Sequence, residues 1–144
     1  AGEAEAELRQ AIDQHGLQPQ VFLHGYQQKT ELPRYYAIAD VLLFPSLTEV
    51  FGRVMVEAAA AGLPIVATRF AGATVDAVID GVTGIVVDPN NIPEFADTIR
   101  RLVDSPGLRQ QMSQAARHHA ATSLTPEQSA RGYTRALLKA MARE

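Results

Sequence analysis

The stretch Val41–Thr68 reads VLLFPSLTEVFGRVMVEAAAAGLPIVAT. Val41 to Phe44 is a short run without a polar residue, and Ile65 to Thr68 is nearly the same. Each suits a strand covered on both faces rather than one with a wet side. Between them, Gly52 to Ala61 is an alanine-rich segment of helical character, which Gly62 closes and Pro64 keeps from continuing. A strand, a helix and a strand in so short a span make a βαβ unit, and such units build parallel sheets.

The same alternation extends in both directions. Val21 to His24 and Ile85 to Val87 are two more buried-strand candidates. Upstream, a helix from about Glu3 to Gln14 stops near Gly16, and another begins near Thr30 with Pro33 in its first turn and carries Tyr35, Tyr36, Ile38 and Ala39. Thr74 to Ile79 reads as a shorter helical turn closed by Gly81. Beyond Val87, Asp88, Pro89, Asn90 and Asn91 form a turn and cap. Ile92, Phe95, Ala96, Ile99, Leu102 and Val103 then recur on one helical face. A helix from about Gly107 to Ala121 follows Pro106, and the last opens at Thr125-Pro126-Glu127 and carries Tyr133, Leu137 and Met141 on one stripe. The predicted fold is α/β: a Rossmann-like parallel sheet with helices on both faces, followed by carboxy-terminal helices. A βαβ sheet should supply a strand ahead of the first helix, and this chain opens directly in the helix. The sheet is therefore expected to be truncated at its amino end.

Composition narrows the function. At 144 residues, 47% hydrophobic and 20% charged, the chain is one globular domain or part of one, which excludes disorder and collagen-like repeats. The net charge of −3 with scattered basic residues excludes nucleic acid and anionic membranes as main partners. No apolar run approaches the roughly 20 residues of a membrane span, and the acidic start AGEAEAELRQ is unlike a secretion signal. With no cysteine there are no disulfides, thiolate metal sites or cysteine nucleophiles. A soluble, cytoplasmic protein is expected. Of the histidines, His118 and His119 diverge by about 100° on a helix and cannot share a metal. They read as solvated surface, and no metal site is expected. Neither a Gly-x-Ser-x-Gly elbow nor a Gly-x-Gly-x-x-Gly fingerprint is present.

Ligands of open α/β sheets bind beyond the carboxyl ends of the strands, so the loops after His24, Phe44, Thr68 and Val87 matter most. The loop after Phe44 runs through Glu49 into a helix that starts at Gly52. A glycine there lets a ligand approach the backbone, and the free amides of the first turn favour an anion such as phosphate. Glu57 lies about one and a half turns into that helix, where its carboxylate can accept two hydrogen bonds from a vicinal diol such as ribose. Glu49 is free to reach whatever is attached beyond the phosphates. Plainer readings stand beside these. Glu57 follows Arg53 by four residues and can form a helix-surface ion pair worth a few tenths of a kcal/mol, and glycines start many helices that bind nothing.

The stretch from Pro45 to Thr68 resembles the donor-binding motif of retaining glycosyltransferases of GT-B fold, the glycogen-synthase-like and mannosyltransferase-like family, in which two glutamates are separated by seven residues. Here they are Glu49 and Glu57. Gly25, Tyr36 through Asp40, Gly62-Leu63-Pro64, Asp80-Gly81, Thr83-Gly84 and Asp88-Pro89 fall in the family's order, so the resemblance covers essentially the whole chain. It implies that Glu57 holds the ribose hydroxyls of a nucleoside diphosphate sugar and that Glu49, the catalytic candidate, stands near the transferred sugar. The backbone around Phe51, Gly52, Arg53 and Val54 would face the diphosphate and sugar, and the loop of His24, Gly25 and Tyr26 the nucleobase. The nucleotide-sugar donor would be a small-molecule partner and its sugar would pass to a hydroxyl acceptor, with neither a cofactor nor a metal for the diphosphate. The chain departs from the usual Gly-Gly-x-x-Glu element, having Gly72-Ala73-Thr74-Val75-Asp76, and Val50 stands where a smaller residue or proline is frequent. The resemblance further implies that residues 1–144 are a partial donor-binding lobe. A basic Arg and Lys pair and an acceptor-binding domain would belong to the part preceding Ala1, and the chain alone would be inactive. A nucleotide-sugar epimerase of the same fold and a non-catalytic nucleotide-binding or scaffolding module are the competing readings.

Overall fold

A computed structural model of the chain describes residues 2–142. It divides into two compact units, Ala1–Tyr35 and Tyr36–Glu144.

In the first unit, helix α1 (Glu5–Gln14) is held on its surface by an Arg9–Glu5 ion pair of 2.6 Å, and Gly16 beyond its end takes φ +63°. Helix α2 (Leu32–Ile38) begins in this unit, with Pro33 in its first turn as expected. The strand expected at Val21 to His24 does not form. Strands exist by pairing, and this segment has no strand partner among the described residues, while Phe22 is 68% exposed.

The second unit holds the sheet. Strands β1 (Leu42–Phe44), β2 (Ile65–Thr68) and β3 (Gly84–Val87) run parallel in the order β1-β2-β3, with Leu42 opposite Ile65 and Ile65 opposite Gly84. Helix α3 (Arg53–Ala61) connects β1 to β2, and α4 (Thr74–Ala77) connects β2 to β3. Two crossovers of one hand stepping the same way must leave their helices on one face. Accordingly Met55, Ala58 and Ala59 of α3 and Ala77 of α4 bury against Ile65 and Ala67. Successive strand residues point to opposite faces, so Val66 joins the other core, with Val87, Leu102 of helix α5 (Ile92–Asp104) and Met112 of helix α6 (Pro106–Ser123). All four residues of β2 are buried, as a central parallel strand requires.

Helix α6 serves both faces. Met112 lies in the core with Leu102, while Ala120 joins the cluster around Met55. His119 was expected at the solvated surface. It is half-buried instead, and its Nε2–H donates to the Asp76 carbonyl at 2.6 Å, tying α6 to the end of α4. Since a carbonyl can only accept, the contact fixes the proton on Nε2.

The helix ends follow the sequence closely. The Asn91 side chain accepts from the Glu94 amide at 3.3 Å and Thr125 Oγ1 from the Gln128 amide at 3.2 Å, each satisfying a first-turn donor. Arg109 Nη1 donates to the Leu102 and Val103 carbonyls at 2.6 and 2.7 Å, closing the carboxyl end of α5. The apolar stripe of α5 is narrower than its spacing suggests. Leu102 is fully buried, but Ile92 and Val103, at the margins of the stripe, are exposed. Helix α7 (Pro126–Met141) keeps Tyr133, Leu137 and Met141 at the surface.

Candidate functional site

At the carboxyl ends of β1 and β2 the backbone is pinned by two threonines. Thr68 Oγ1 donates to the Ser46 carbonyl at 2.6 Å, and Thr74 Oγ1 donates to the Thr68 carbonyl at 2.7 Å. Past this clamp the loop carrying Glu49 runs beside the loop before α4. The Gly72 amide donates to the Glu49 carbonyl at 3.2 Å, and the Ala73 amide to the Phe51 carbonyl at 2.6 Å. The two loops are so close that a Cβ on Gly72 would lie 2.2 Å from the Val50 carbonyl oxygen. Protein backbone alone is enough to require that glycine. Ala73, in place of the family's second glycine, buries its methyl completely in the core.

Gly52 then turns the chain into α3 with φ +87° and ψ +57°, and a Cβ there would stand 2.8 Å from Met55 Cε. The positive φ is what calls for glycine. Glu49, half-buried, folds back so that its Oε1 accepts from the Phe51 amide at 3.1 Å. The Phe51 amide, expected to face the diphosphate, is thus already engaged. The amides of Gly52, Arg53 and Val54 have no acceptor among the described residues. They are the orphan donors of a helix start, at the positive end of its dipole.

Glu57 sits on the same helix, its side chain 28% exposed. The ion pair with Arg53 is present only as a long contact, Nε to Oε1 at 3.9 Å, and Arg53 is mostly in solvent. The firmer partner is Tyr36, whose hydroxyl donates to Glu57 Oε2 at 2.9 Å. Burial, and then the carboxylate beside it, push the Tyr36 phenol up to about 12. An open groove of about 650 Å³ borders the same first turn, lined by Phe51, Arg53, Asp76, Leu124 and Tyr133. Neither motif glutamate lines it.

The structure therefore gathers Glu49, Phe51, Gly52, Arg53, Val54 and Glu57 on one loop and helix start. His24, Gly25 and Tyr26 belong to the first unit. There Gly25 takes φ +65°, the His24 and Tyr35 rings meet in a T-shaped arrangement with their centroids 5.1 Å apart, and Gln27 Nε2 donates to the His24 carbonyl at 2.7 Å. Tyr26 is 79% exposed. Sequence reasoning did not single out Tyr36 as a partner of Glu57. The two are 21 positions apart, and no local spacing rule joins them.

The sequence profile of the family described as glycosyl transferases group 1 matches residues 1–119. The chain belongs to that family. The D-inositol 3-phosphate glycosyltransferase of Arthrobacter sp. (strain FB24) is 38% identical over 120 residues, which cover 83% of this chain and 28% of that protein. A solved C-terminal domain of a glycosyl transferase group 1 family protein, LpcC of Francisella tularensis, superposes with a TM-score of 0.76 at 28% identity, covering 85% of this chain and 63% of that one. Anabaena Alr3699/HepE, solved in complex with UDP and glucose, gives a TM-score of 0.73 at 31% identity over 81% of this chain and 31% of its own. This group 1 chain thus spans less than a third of the length of the curated relative, and its fold is that of a GT-B carboxy-terminal lobe. Several motifs that carry the resemblance prove to be turn chemistry. Asp80 Oδ1 accepts from the Val86 amide at 2.9 Å, Thr83 Oγ1 from the Ile79 amide at 2.8 Å, and Asp88 Oδ1 from the Asn90 amide at 2.9 Å. The Asn90 contact, opposed by some burial and helped by the nearby Arg69, holds the Asp88 carboxyl below its ordinary range.

Proposed function

We propose that residues 1–144 are the donor-binding lobe, or part of it, of a retaining glycosyltransferase that moves a sugar from a nucleoside diphosphate sugar to a hydroxyl acceptor. One observation carries the reading: unengaged amides at the start of α3 and a half-buried carboxylate on the same helix. Together they match an anion joined to a vicinal diol. The complex of a 31% identical relative with UDP and glucose supports it. The diphosphate is met by the amides of Gly52, Arg53 and Val54 and by the helix dipole, so the reading calls for no cofactor and no metal at that point. Glu57 takes the ribose hydroxyls. Transfer with retention builds positive charge on the sugar while the diphosphate leaves with its electron pair. Fixed groups aimed at those two charges then supply most of the rate enhancement. Glu49 bears a negative charge on the loop just ahead of the phosphate seat, where it faces the sugar. The rest of the full-length enzyme supplies the acceptor site and the basic side chains that neutralise the leaving group. The cytoplasmic setting belongs to this proposal, and a chain without cysteine is compatible with it.

Calorimetric titration of the full-length enzyme with UDP, GDP and ADP, in parent, Glu57→Ala and Glu49→Gln forms, tests the assignment. Glu57→Ala should weaken the preferred nucleotide by about 1.5–3 kcal/mol, the range for hydrogen bonds to a charged group. Glu49→Gln should lower turnover while leaving that affinity nearly intact. Unchanged affinity in Glu57→Ala would remove the ribose role.

A further inference from the structure

We propose that Tyr36 is a positioning residue, fixing the Glu57 carboxylate so that the site discriminates ribose from its deoxy forms. This rests on the ribose role of Glu57 proposed above. A glutamate on a helix surface ordinarily samples several rotamers, and an acceptor that moves selects poorly. Here the two carboxylate oxygens are held unequally. Among the described residues, Oε1 has only the 3.9 Å contact with Arg53, whose side chain is 76% exposed. A wet, long pair of that kind contributes little. Oε2 receives the Tyr36 hydroxyl at 2.9 Å, and the Tyr36 ring packs against the buried cluster of Met55, Ala58 and Ala59. The anchor is therefore the core itself.

Donor and acceptor roles follow from chemistry. An ionised carboxylate can only accept, so the phenol must donate, and its single proton is committed to Glu57. Each carboxylate oxygen offers two lone pairs, so Oε2 keeps one for a sugar hydroxyl after Tyr36 has taken the other. The phenol is raised to about 12 and stays protonated, hence donating, at any ordinary working pH. A rigid, partly desolvated acceptor penalises a ligand that lacks the matching hydroxyl more than a mobile one does, because it is left unpaired.

The test measures binding of UDP, GDP and ADP, each against its 2′,3′-dideoxy counterpart, to the full-length enzyme and to Tyr36→Phe, Glu57→Ala and the double variant. The ratio of the two affinities is read for the base that binds tightest. Tyr36→Phe should lower the preference for the ribonucleotide by about 3- to 10-fold, the span of one hydrogen bond, and change dideoxynucleotide affinity by less than about twofold. Glu57→Ala should abolish the preference, and adding Tyr36→Phe to it should change nothing further. A preference lost in Glu57→Ala but kept in Tyr36→Phe would overturn the role of Tyr36 alone. So would equal loss of both nucleotides in Tyr36→Phe, which marks general damage. A preference that survives in Glu57→Ala, or binding of none of the nucleotides, would instead remove the ribose reading beneath it.

Discussion

Glu57 shows how a single side chain divides between readings that a sequence leaves open. Its spacing from Arg53 permits an ion pair, and the structure provides one, but at 3.9 Å and with Arg53 in solvent. The hydrogen bond from Tyr36 is shorter and better sheltered. That bond has a signature in alkali. The Tyr36 phenol is raised from an ordinary 10.0 to about 12, so the folded state holds this proton more tightly than the unfolded chain does. Its contribution to stability is complete below about pH 10 and is lost as the pH rises from about 10 to about 12. The stability gap between the parent and Tyr36→Phe should accordingly be constant up to about pH 10 and close above it, as urea-unfolding midpoints across that range would show. A gap that stays constant to pH 12 would mean the phenol is not tied to the fold. Glu49 and Glu57 were legible in the sequence because both lie in one local motif. Tyr36 was not, because its partnership joins residues 21 positions apart that only tertiary packing brings together.

Strand-helix-strand units carry their own instructions, which explains why β1, α3, β2 and β3 fall within a residue or so of where their apolar runs and Gly62 place them. Asn91 and Thr125 cap helices because short polar side chains at those points have amides within reach. Val21 to His24 failed for a different reason. Its composition suits a strand, but pairing depends on a neighbour that no local pattern specifies. The contact between the Glu49 loop and the loop before α4 was equally hidden, and it yields a prediction. In Gly72→Ala the new methyl would sit 2.2 Å from the Val50 carbonyl oxygen, a backbone atom that cannot rotate away. Overpacking of this kind costs about 1–3 kcal/mol. The loop shift should also break the bonds from the Gly72 and Ala73 amides to the Glu49 and Phe51 carbonyls. Faster hydrogen exchange at those two amides, together with a lower unfolding midpoint, is the expected result. Unchanged exchange and stability would show that the two loops are not coupled.

The ordered set of motifs along the whole chain made the family legible, and the match over residues 1–119 bears it out. The proposed activity needs more than these residues. A reacting hydroxyl must be held within about 3–3.5 Å of the sugar carbon, and on the proposed reading a chain spanning 28% of a curated relative would supply only the donor side of that arrangement. Residues 1–144 alone are expected to give no acceptor-dependent product from UDP-, GDP- or ADP-sugars. Product at a rate near that of the full-length enzyme would refute the division of labour between lobes. The double duty of α6 has a further consequence, felt while the protein is being made. β1 is complete at Phe44, yet the helix that finishes covering both faces of the sheet is not, until Ala120 has left the ribosome's catalytic centre. At 5–20 residues per second, those intervening 76 positions take roughly 4 to 15 s. For that interval the nascent chain carries apolar strands without their final cover.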